Sequence, residues 1–291
     1  MSLGMSVRNN VPYEELMRNF VPKLYDFYIH PQKYAMEPFR IYGNLYYIGD
    51  KKVCSHLVDT GDGLIMFDAG YGNSTFMLLD SIRKLGFRPE DIKILIISHG
   101  HFDHFGSALD IQDISGCRIY MSHVDADILR TNPDAALMEL SPLRYGQIVL
   151  PDVDIYDGDT VSLGNTSIVC KAAPGHTEGT MAYFFDAYEN GAAKRVGYFG
   201  GVGFLGIYKA HLEKYHLNPN MQDAMADTLK RLSAEYADIT IGNHPNQNGT
   251  IEKRAYMVEH PGENPFLDET VWQELLDGLT AGLERFRAKG F

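Results

Sequence analysis

The strongest constraint on this chain is the segment His99-Gly100-His101-Phe102-Asp103-His104, which places three histidines and one aspartate within six residues. It directly follows residues 92–98, a nearly all-apolar run that predicts a strand buried on both faces. Polar side chains at the end of such a strand lie at the rim of a sheet, where sites tend to form. In an extended or turning segment, His99 and His101 can both reach one ion. Asp103 and His104 can then face a second ion nearby.

The donor types in this segment indicate which metal it would bind. Nitrogen and oxygen ligands without a thiolate suit zinc, and iron, manganese or cobalt are the alternatives. Each of the two metal sites needs one further donor, and two single histidines follow predicted strands at suitable places. His176 lies in PGHTEGT (174–180), and His244 lies in IGNHP (241–245). We expect both to be metal ligands.

Composition excludes several classes of protein. The 291 residues carry 26 basic and 38 acidic side chains, a formal charge of −12, with no dense basic cluster that would bind nucleic acid. No apolar run reaches the roughly 18–20 residues that a membrane helix needs. The N-terminal sequence lacks the apolar core of a signal peptide, so we expect a cytoplasmic protein. Cys54, Cys117 and Cys170 are too few and too widely spaced for a disulfide framework, which predicts buried apolar roles.

Hydrophobic periodicity and turn residues predict an α/β chain. We interpret residues 1–291 as a single domain, with residues 1–36 as an N-terminal helical extension and residues 30–43 as a connection that contains proline. Gly61-Asp62-Gly63 predicts a hairpin turn. Two mixed sheets with helices outside satisfy the order of the elements. The predicted helices are 12–29, 74–86, 123–130, 220–236 and 268–288, and the predicted strands are 44–49, 53–60, 63–70, 92–98, 117–122, 167–173, 181–186, 195–200 and 237–244.

These motifs together resemble the metallo-β-lactamase fold superfamily, whose signature is H-x-H-x-D-H followed by distant single histidines. The likeness extends from about residue 38 to residue 288 and is greatest to the third subclass of metallo-β-lactamases. The stretches that carry it are PFRIYGNLYYIGD (38–50), LIMFDAG (64–70), SHGHFDHFGS (98–107), PGHTEGT (174–180), GNHP (242–245) and NPFLDE (264–269).

The resemblance implies a four-layer αβ/βα sandwich of two mixed β-sheets flanked by helices, with two Zn²⁺ ions at one edge. It also implies that Asp68, at a strand end, orients the metal loop by hydrogen bonding. The ligands that it implies are His99, His101 and His176 for the first zinc, and Asp103, His104 and His244 for the second.

The resemblance also bears on the substrate. Much of the superfamily has a carboxylate that bridges the two metals, and here Gly200 or Gly201 occupies that place. This fits the third subclass and disfavours glyoxalase-type and typical lactonase-type members. In that subclass, serines of the same segment commonly help to hold the β-lactam carboxylate. Gly201 and Gly203 replace them here, and we expect this segment to lie near the substrate.

The function implied is hydrolysis of a carbonyl substrate by a metal-bound hydroxide, with Asp103 as ligand and as the residue that positions the nucleophile. Two divalent ions contribute about +4, and Asp103 and a bridging hydroxide leave a centre of about +2. Such a centre attracts an anionic or strongly polarised small molecule, and β-lactam amide cleavage is one such activity.

Three alternatives stay open at this point. They are a lactonase or other ester hydrolase of the same fold, a redox member that binds iron, and a metal-binding protein without turnover. The acidic charge counts against an RNA-processing nuclease. We assign no role to His123, His211 or His216, and the oligomeric state is open. The aromatic side chains of residues 198–208 form either an apolar pocket wall or part of the core: Tyr198, Phe199, Phe204 and Tyr208.

Overall fold

A computed structural model describes residues 11–140 and 147–291 of the chain. The helices are α1 (Tyr13–Ile29), α2 (Thr75–Lys84), α3 (Phe102–Phe105), α4 (Ala108–Ser115), α5 (His123–Thr131), α6 (Lys209–Lys214), α7 (Met221–Leu232), α8 (Thr250–Glu259) and α9 (Thr270–Ala288). The strands are β1 (Phe39–Tyr42), β2 (Leu45–Tyr47), β3 (His56–Asp59), β4 (Leu64–Phe67), β5 (Ile92–Ile96), β6 (Arg118–Ser122), β7 (Val153–Ile155), β8 (Thr160–Leu163), β9 (Thr166–Ala172), β10 (Met181–Glu189), β11 (Ala192–Phe199) and β12 (Ile239–Gly242).

The strands form two mixed sheets. The first has seven strands in the order β1-β2-β3-β4-β5-β6-β7, antiparallel from β1 to β4 and parallel from β4 to β7. The second has five strands in the order β12-β11-β10-β9-β8, and its β11–β12 pair is parallel. The parallel pairs bring the carboxyl ends of β4 and β5, and of β11 and β12, to shared sheet edges.

Three apolar clusters hold the layers together. The inner faces of the two sheets share one cluster, which includes Phe67 of the first sheet and Tyr183 of the second. Helices α1, α2, α4 and α5 bury their apolar faces against the outside of the first sheet. Helices α7 and α9 cover the outside of the second sheet, with Trp272 against Phe184. Burial on both faces explains why β5 and β10 are almost continuously apolar.

The predicted four-layer fold of two mixed sheets flanked by helices is confirmed. The glycine-containing turn at residues 61–63 joins β3 and β4 as an antiparallel pair. The interpretation of residues 30–43 as a connection is wrong at its end, because Phe39–Tyr42 form β1 and pair with β2. The sequence patterns do not predict strands β7 and β8 or helices α3, α4, α6 and α8. The predicted domain also includes residues 1–10, the start of the N-terminal extension, and residues 141–146, which lie outside the described residues.

Within residues 11–140 and 147–291, no helix combines the length and the apolar character needed to cross a membrane.

Candidate metal centre

The candidate site lies where strands of both sheets end. Each segment that contributes to it leaves its strand at the same edge, so residues far apart in sequence meet there. Five segments contribute to the site: Asp68 after β4, residues 97–104 after β5, residues 173–180 after β9, Gly200 after β11, and Asn243 and His244 after β12.

Three histidines form a compact nitrogen cluster. Nδ1 of His101 lies 3.0 Å from Nε2 of His99 and 3.1 Å from Nε2 of His176. The ligand atoms of the three rings all lie within 4.8 Å of one another. Tetrahedral zinc holds two histidine nitrogens roughly 3.3 Å apart, as its bond length and angle require. The observed spacing fits one metal ion between the three rings.

Backbone carbonyls fix the tautomers of two of these rings. Nδ1 of His99 donates to the carbonyl oxygen of Gly200 at 2.8 Å, and Nδ1 of His176 donates to that of Gly203 at 2.7 Å. A carbonyl only accepts, so each neutral ring keeps its Nε2 lone pair free. Burial, and then the neighbouring histidines, hold the pKa of His99 and His101 well below the usual range. Burial lowers the pKa of His176 to about 4.

The hydrogen-bonding capacity of the three rings indicates whether a cation fits between them. Two free lone pairs face Nδ1 of His101, which has at most one proton to donate. At most one of the two contacts is therefore a full hydrogen bond, and at least one buried lone pair stays unpaired unless a positive charge lies between the rings. The neutral state of the rings is the state that binds metals. The cluster therefore fits a divalent metal and, by its donors, zinc.

A second group of donors lies beside the first. Oδ2 of Asp103 is 3.5 Å from Nε2 of His104 and 3.7 Å from Nε2 of His244. Nε2 of His104 is buried and has no hydrogen-bond partner among the described residues. Nδ1 of His244 donates to the carbonyl oxygen of Lys52 at 2.8 Å, which leaves its Nε2 free as well. An orphaned nitrogen beside a carboxylate and a second free nitrogen fits a second cation.

The second group also differs from the first in its electrostatics. Burial alone lowers the pKa of His104, but the carboxylates of Asp103 and Asp68 outweigh it, and the pKa is raised. Burial, followed by His104, lowers the pKa of His244. The three donors within 4.8 Å of one another here are those of His99, Asp103 and His104. His244 lies at the margin of this group, with its ring centroid 5.0 Å from that of His104.

Asp68 organises the loop that carries these donors. Its Oδ2 accepts hydrogen bonds from Nδ1 of His104, the hydroxyl of Ser98 and the hydroxyl of Tyr198, each at 2.8 Å. Its Oδ1 accepts the backbone N–H of Ser98 at 2.7 Å. Asp68 is fully buried and has φ of 53°, a conformation that is strained in a residue other than glycine. The structure thus places Asp68 where it orients His104.

Asp125 ties the two histidine loops together. It lies in the first turn of α5 and is buried. Its Oδ2 accepts from the backbone N–H of Gly100 at 2.7 Å and from the hydroxyl of Thr177 at 2.8 Å. Its Oδ1 accepts from the backbone N–H of Gly179 at 2.8 Å. Burial raises its pKa against the lowering effect of these hydrogen bonds.

An amide pair supports the third loop of the site. Nδ2 of Asn243 lies 2.5 Å from the carbonyl oxygen of Gly200 and donates to it, beside Nδ1 of His99. Gln247 holds Asn243 in turn, since Oε1 accepts the backbone N–H of Asn243 at 2.9 Å and Nε2 donates to its side-chain oxygen. A Cβ on Gly242 would meet Oε1 of Gln247 at 1.6 Å, so the clamp requires glycine there.

The glycine segment after β11 lies against His176. A Cβ on Gly201 would be 2.8 Å from Cδ2 of His176, and one on Gly203 would be 3.2 Å from Cε1. The aromatic residues of the segment belong to the core and do not form a pocket wall, since Tyr198, Phe199, Phe204 and Tyr208 are all buried. Tyr198 has a polar role besides, through its hydroxyl on Asp68.

The three histidines to which the sequence analysis assigns no role differ in their surroundings. His123 stacks on Tyr156 with its ring centroid 4.2 Å away, and His216 adopts a positive φ. His211 is buried and, together with His101 and His176, lines a small cavity. Sequence reasoning missed Asp125 and Gln247, and no local pattern marks either. Asn243 carries one signal, its place beside His244.

Comparison with known proteins places this geometry among known folds. The sequence model of the metallo-beta-lactamase superfamily matches residues 49–188. The metallo-beta-lactamase GOB-18 from Elizabethkingia meningoseptica superposes with a TM-score of 0.75 and 29% identity over 88% of this chain and 94% of that one. BJP-1, a subclass B3 metallo-beta-lactamase of Bradyrhizobium japonicum, gives 0.77 and 26% over 89% and 97%.

Curated sequences match over shorter stretches. The hydroxyacylglutathione hydrolase GloC of Haemophilus influenzae is 26% identical over 161 residues, which is 53% of this chain and 67% of that protein. An uncharacterized protein of Mycobacterium leprae is 28% identical over 140 residues, 41% of this chain and 61% of that protein. The chain therefore spans less than two thirds of the length of the M. leprae relative.

Proposed function

We propose that this chain, which resembles the metallo-β-lactamase superfamily in sequence and in fold, is a zinc-dependent hydrolase that acts on a carbonyl group of a small molecule. The observation that carries the proposal is the pair of donor groups whose lone pairs face one another. GOB-18 and BJP-1 are metallo-beta-lactamases, and GloC is a hydroxyacylglutathione hydrolase, so hydrolysis is what these relatives share.

Six side chains would hold the metals. His99, His101 and His176 would bind one ion, and Asp103, His104 and His244 the other. When bound, divalent zinc supplies Lewis acidity, which polarises a carbonyl and makes water acidic enough to ionise near neutral pH. Iron or manganese is the alternative metal, and the absence of thiolate donors is compatible with each.

The chain's own residues would supply orientation and proton handling. Asp103 is the candidate catalytic residue, since its side chain is 14% exposed and its carboxylate lies beside Nε2 of His104 and Nε2 of His244. A carboxylate oxygen there can accept the proton of the attacking water and hold the water in line with a carbonyl. Asp68 keeps the ring of His104 in register, and the carbonyls of Gly200 and Gly203 do the same for His99 and His176.

The substrate would be anionic or strongly polarised. The segment 198–206 contains no carboxylate, so the two metals would keep a net charge of about +2 that close-range focusing sets against the acidic surface. A β-lactam meets this description. We expect no contribution from nucleic acid, because phosphate backbones are repelled at long range by the charge of −12.

One observation favours a second candidate, hydrolysis of a lactone or another ester. Gly201 and Gly203 offer no hydroxyl to a substrate carboxylate, and the ring of His176 fills the space where a side chain of Gly201 would begin. A substrate without a carboxylate loses nothing from this lack. The hydroxyacylglutathione hydrolase relative adds a thioester to the substrates worth testing.

A substrate panel tests both candidates. The purified protein, reconstituted with zinc, is assayed with nitrocefin, a γ-lactone, an aryl ester and a hydroxyacylglutathione thioester. We expect turnover of at least one substrate, loss of turnover with a chelator, and recovery with zinc. Asp103→Asn should lower kcat by about 10² or more. Asp113→Asn, an exposed acid in α4, is the matched control and should have no effect.

The results of the substrate panel distinguish the candidate functions. Nitrocefin turnover supports a β-lactam hydrolase, and turnover of the lactone or esters alone supports the second candidate. Zinc binding without turnover of any substrate in a well-folded protein would favour a metal-binding protein without hydrolase activity. Turnover that survives chelation would contradict the metal-dependent mechanism.

A further inference from the structure

Each imidazole ring of the two donor groups has one nitrogen that faces its group and one that faces away. In four of the five histidines, an oxygen accepts a hydrogen bond from the nitrogen that faces away. His99, His176 and His244 donate to backbone carbonyls, and His104 donates to Asp68. His101 is the exception. Its Nδ1 faces the cluster, and among the described residues its Nε2 has no hydrogen-bond partner.

A small cavity adjoins this ring. It has a volume of about 20 Å³, and His101, His176 and His211 are among the residues that line it. One water needs about 10–15 Å³ and two or more polar partners. The rest of the wall is mixed, with apolar side chains such as Ile128 and Leu212 beside Asp125, Thr177 and Glu178. Asp125 and Thr177 are already hydrogen-bonded to each other, and Glu178 accepts the backbone N–H of Asn218.

His211 supplies an unused acceptor at this cavity. It lies in α6 and is 1% exposed, and its buried Nδ1 has no hydrogen-bond partner in the part of the chain that the structure describes. Burial, followed by His176 and Lys214, lowers its pKa to about 4, so the ring is neutral near pH 7. The rings of Tyr13 and Tyr215 pack against it with centroids 6.0 and 4.7 Å away, which fixes its orientation.

We propose that this cavity binds one ordered water, which accepts the Nε2–H of His101 and donates to Nδ1 of His211. His211 is then a positioning residue that holds His101 with its Nδ1 lone pair directed at the cluster. The unpartnered Nδ1 of His211 gains a donor, and each of the five rings then has a hydrogen bond on the nitrogen that faces away from its donor group. The effect on metal affinity rests on the proposed metal-dependent function, whereas the water itself does not.

The water is tested first, in a crystal structure of the wild-type protein at a resolution that shows ordered solvent. We expect density in the cavity within about 3.2 Å of Nε2 of His101 and of Nδ1 of His211. An empty cavity, or a different partner on Nε2 of His101, overturns the proposal. This result stands whether or not the protein binds zinc.

Zinc affinity then tests the positioning role, by competition with a chromophoric chelator. His211→Leu should weaken one of the zinc equivalents by about 10–100-fold, the usual effect of losing a partner of a ligating histidine. His211→Gln retains a polar group and should bind close to wild type. The control is His56→Leu. His56 is equally buried, packs between Tyr47 and Tyr198, and has an Nδ1 without a hydrogen-bond partner within residues 11–140 and 147–291.

Each outcome decides. Wild-type affinity in folded His211→Leu, an equal loss in His56→Leu, or no recovery in His211→Gln overturns the positioning role. If His211→Leu does not fold, the glutamine variant and the crystal structure decide. A wild-type protein that takes up no zinc contradicts the proposed function, and the water is then judged by the crystal structure alone.

Discussion

The carboxylate of Asp125 joins the two loops that carry His99, His101 and His176, and its replacement by asparagine tests that role. Asp125→Asn keeps the size of the side chain but turns one acceptor oxygen into an N–H₂ donor. Oδ2 accepts two hydrogen bonds and Oδ1 one, so the amide oxygen is best placed at the Oδ2 position. The amide nitrogen then faces the backbone N–H of Gly179, and two buried donors oppose each other.

The magnitude follows from that single mismatch. A buried donor without its acceptor costs about 1–3 kcal/mol. Part of this cost is offset because the ionised carboxylate bears a desolvation penalty, which its raised pKa reflects. We expect the free energy of unfolding to fall by about 1–3 kcal/mol, or Tm to fall by roughly 2–8 °C. Zinc affinity should fall by about 10–100-fold, because both loops lose a shared anchor.

The assay is chemical and thermal unfolding of the metal-free protein at pH 7, followed by zinc titration. Asp127→Asn is the matched control, since it lies on the same helix with a side chain 70% exposed, paired with Arg130 at 2.6 Å. Exposed pairs contribute little, so its effect should stay below about 0.5 kcal/mol. An Asp125→Asn variant that matches this control in both stability and zinc affinity would refute the reasoning.

The remaining predictions concern one titrating group, one close contact and the metals. Burial raises the pKa of Asp50 to about 6 from 3.8, so its contribution to stability is complete below about pH 3.8 and is lost as the pH rises through 6. In metal-free protein, the stability difference between wild type and Asp50→Asn should therefore shift by about 2–3 kcal/mol between pH 4 and pH 7, measured by urea unfolding, and a pH-independent difference would contradict it. Gly179→Ala places a Cβ 2.4 Å from the backbone nitrogen of Asp125 and should cost about 1–3 kcal/mol in the same assay, whereas an unchanged midpoint would show that the contact relaxes freely. Chelation of a zinc-loaded sample should lower Tm, since zinc at 100 times its Kd adds about 2.7 kcal/mol per site, and an unchanged Tm would argue against a bound metal.

The sequence predicts the fold well because its strongest signals are local. The run at 92–98 and the six residues after it give a buried strand and four clustered donors without any knowledge of the chain path. Short strands are missed because a local pattern needs several residues to become visible. Strand β1 has four residues beside a proline-containing segment, and β7 has three, so neither shows a clear alternation of apolar and polar residues.

The hydrogen bonds that hold the candidate ligands in place cannot be predicted from the sequence, because they join segments that meet only when distant strands end at the same edge. Asp125 meets Gly100 across 25 residues and Gly179 across 54. The carbonyl of Lys52 reaches His244 across 192 residues, and a backbone acceptor has no residue type to recognise. The aromatic ring of Tyr198 predicts an apolar role. The hydrogen bond from its hydroxyl to Asp68 depends on the packing of β4 against β11, which the sequence does not show.

The central claim is that two groups of side chains each hold a metal ion, and metal content tests it most directly. The wild-type protein and the variants His101→Ala and His244→Ala are stripped, reconstituted with zinc, freed of unbound metal and analysed by mass spectrometry. We expect about two zinc equivalents in the wild type and about one in each variant, in line with one tetrahedral site per donor group. Folded wild-type protein that retains no metal, or that retains iron in preference to zinc when both are offered, would contradict it.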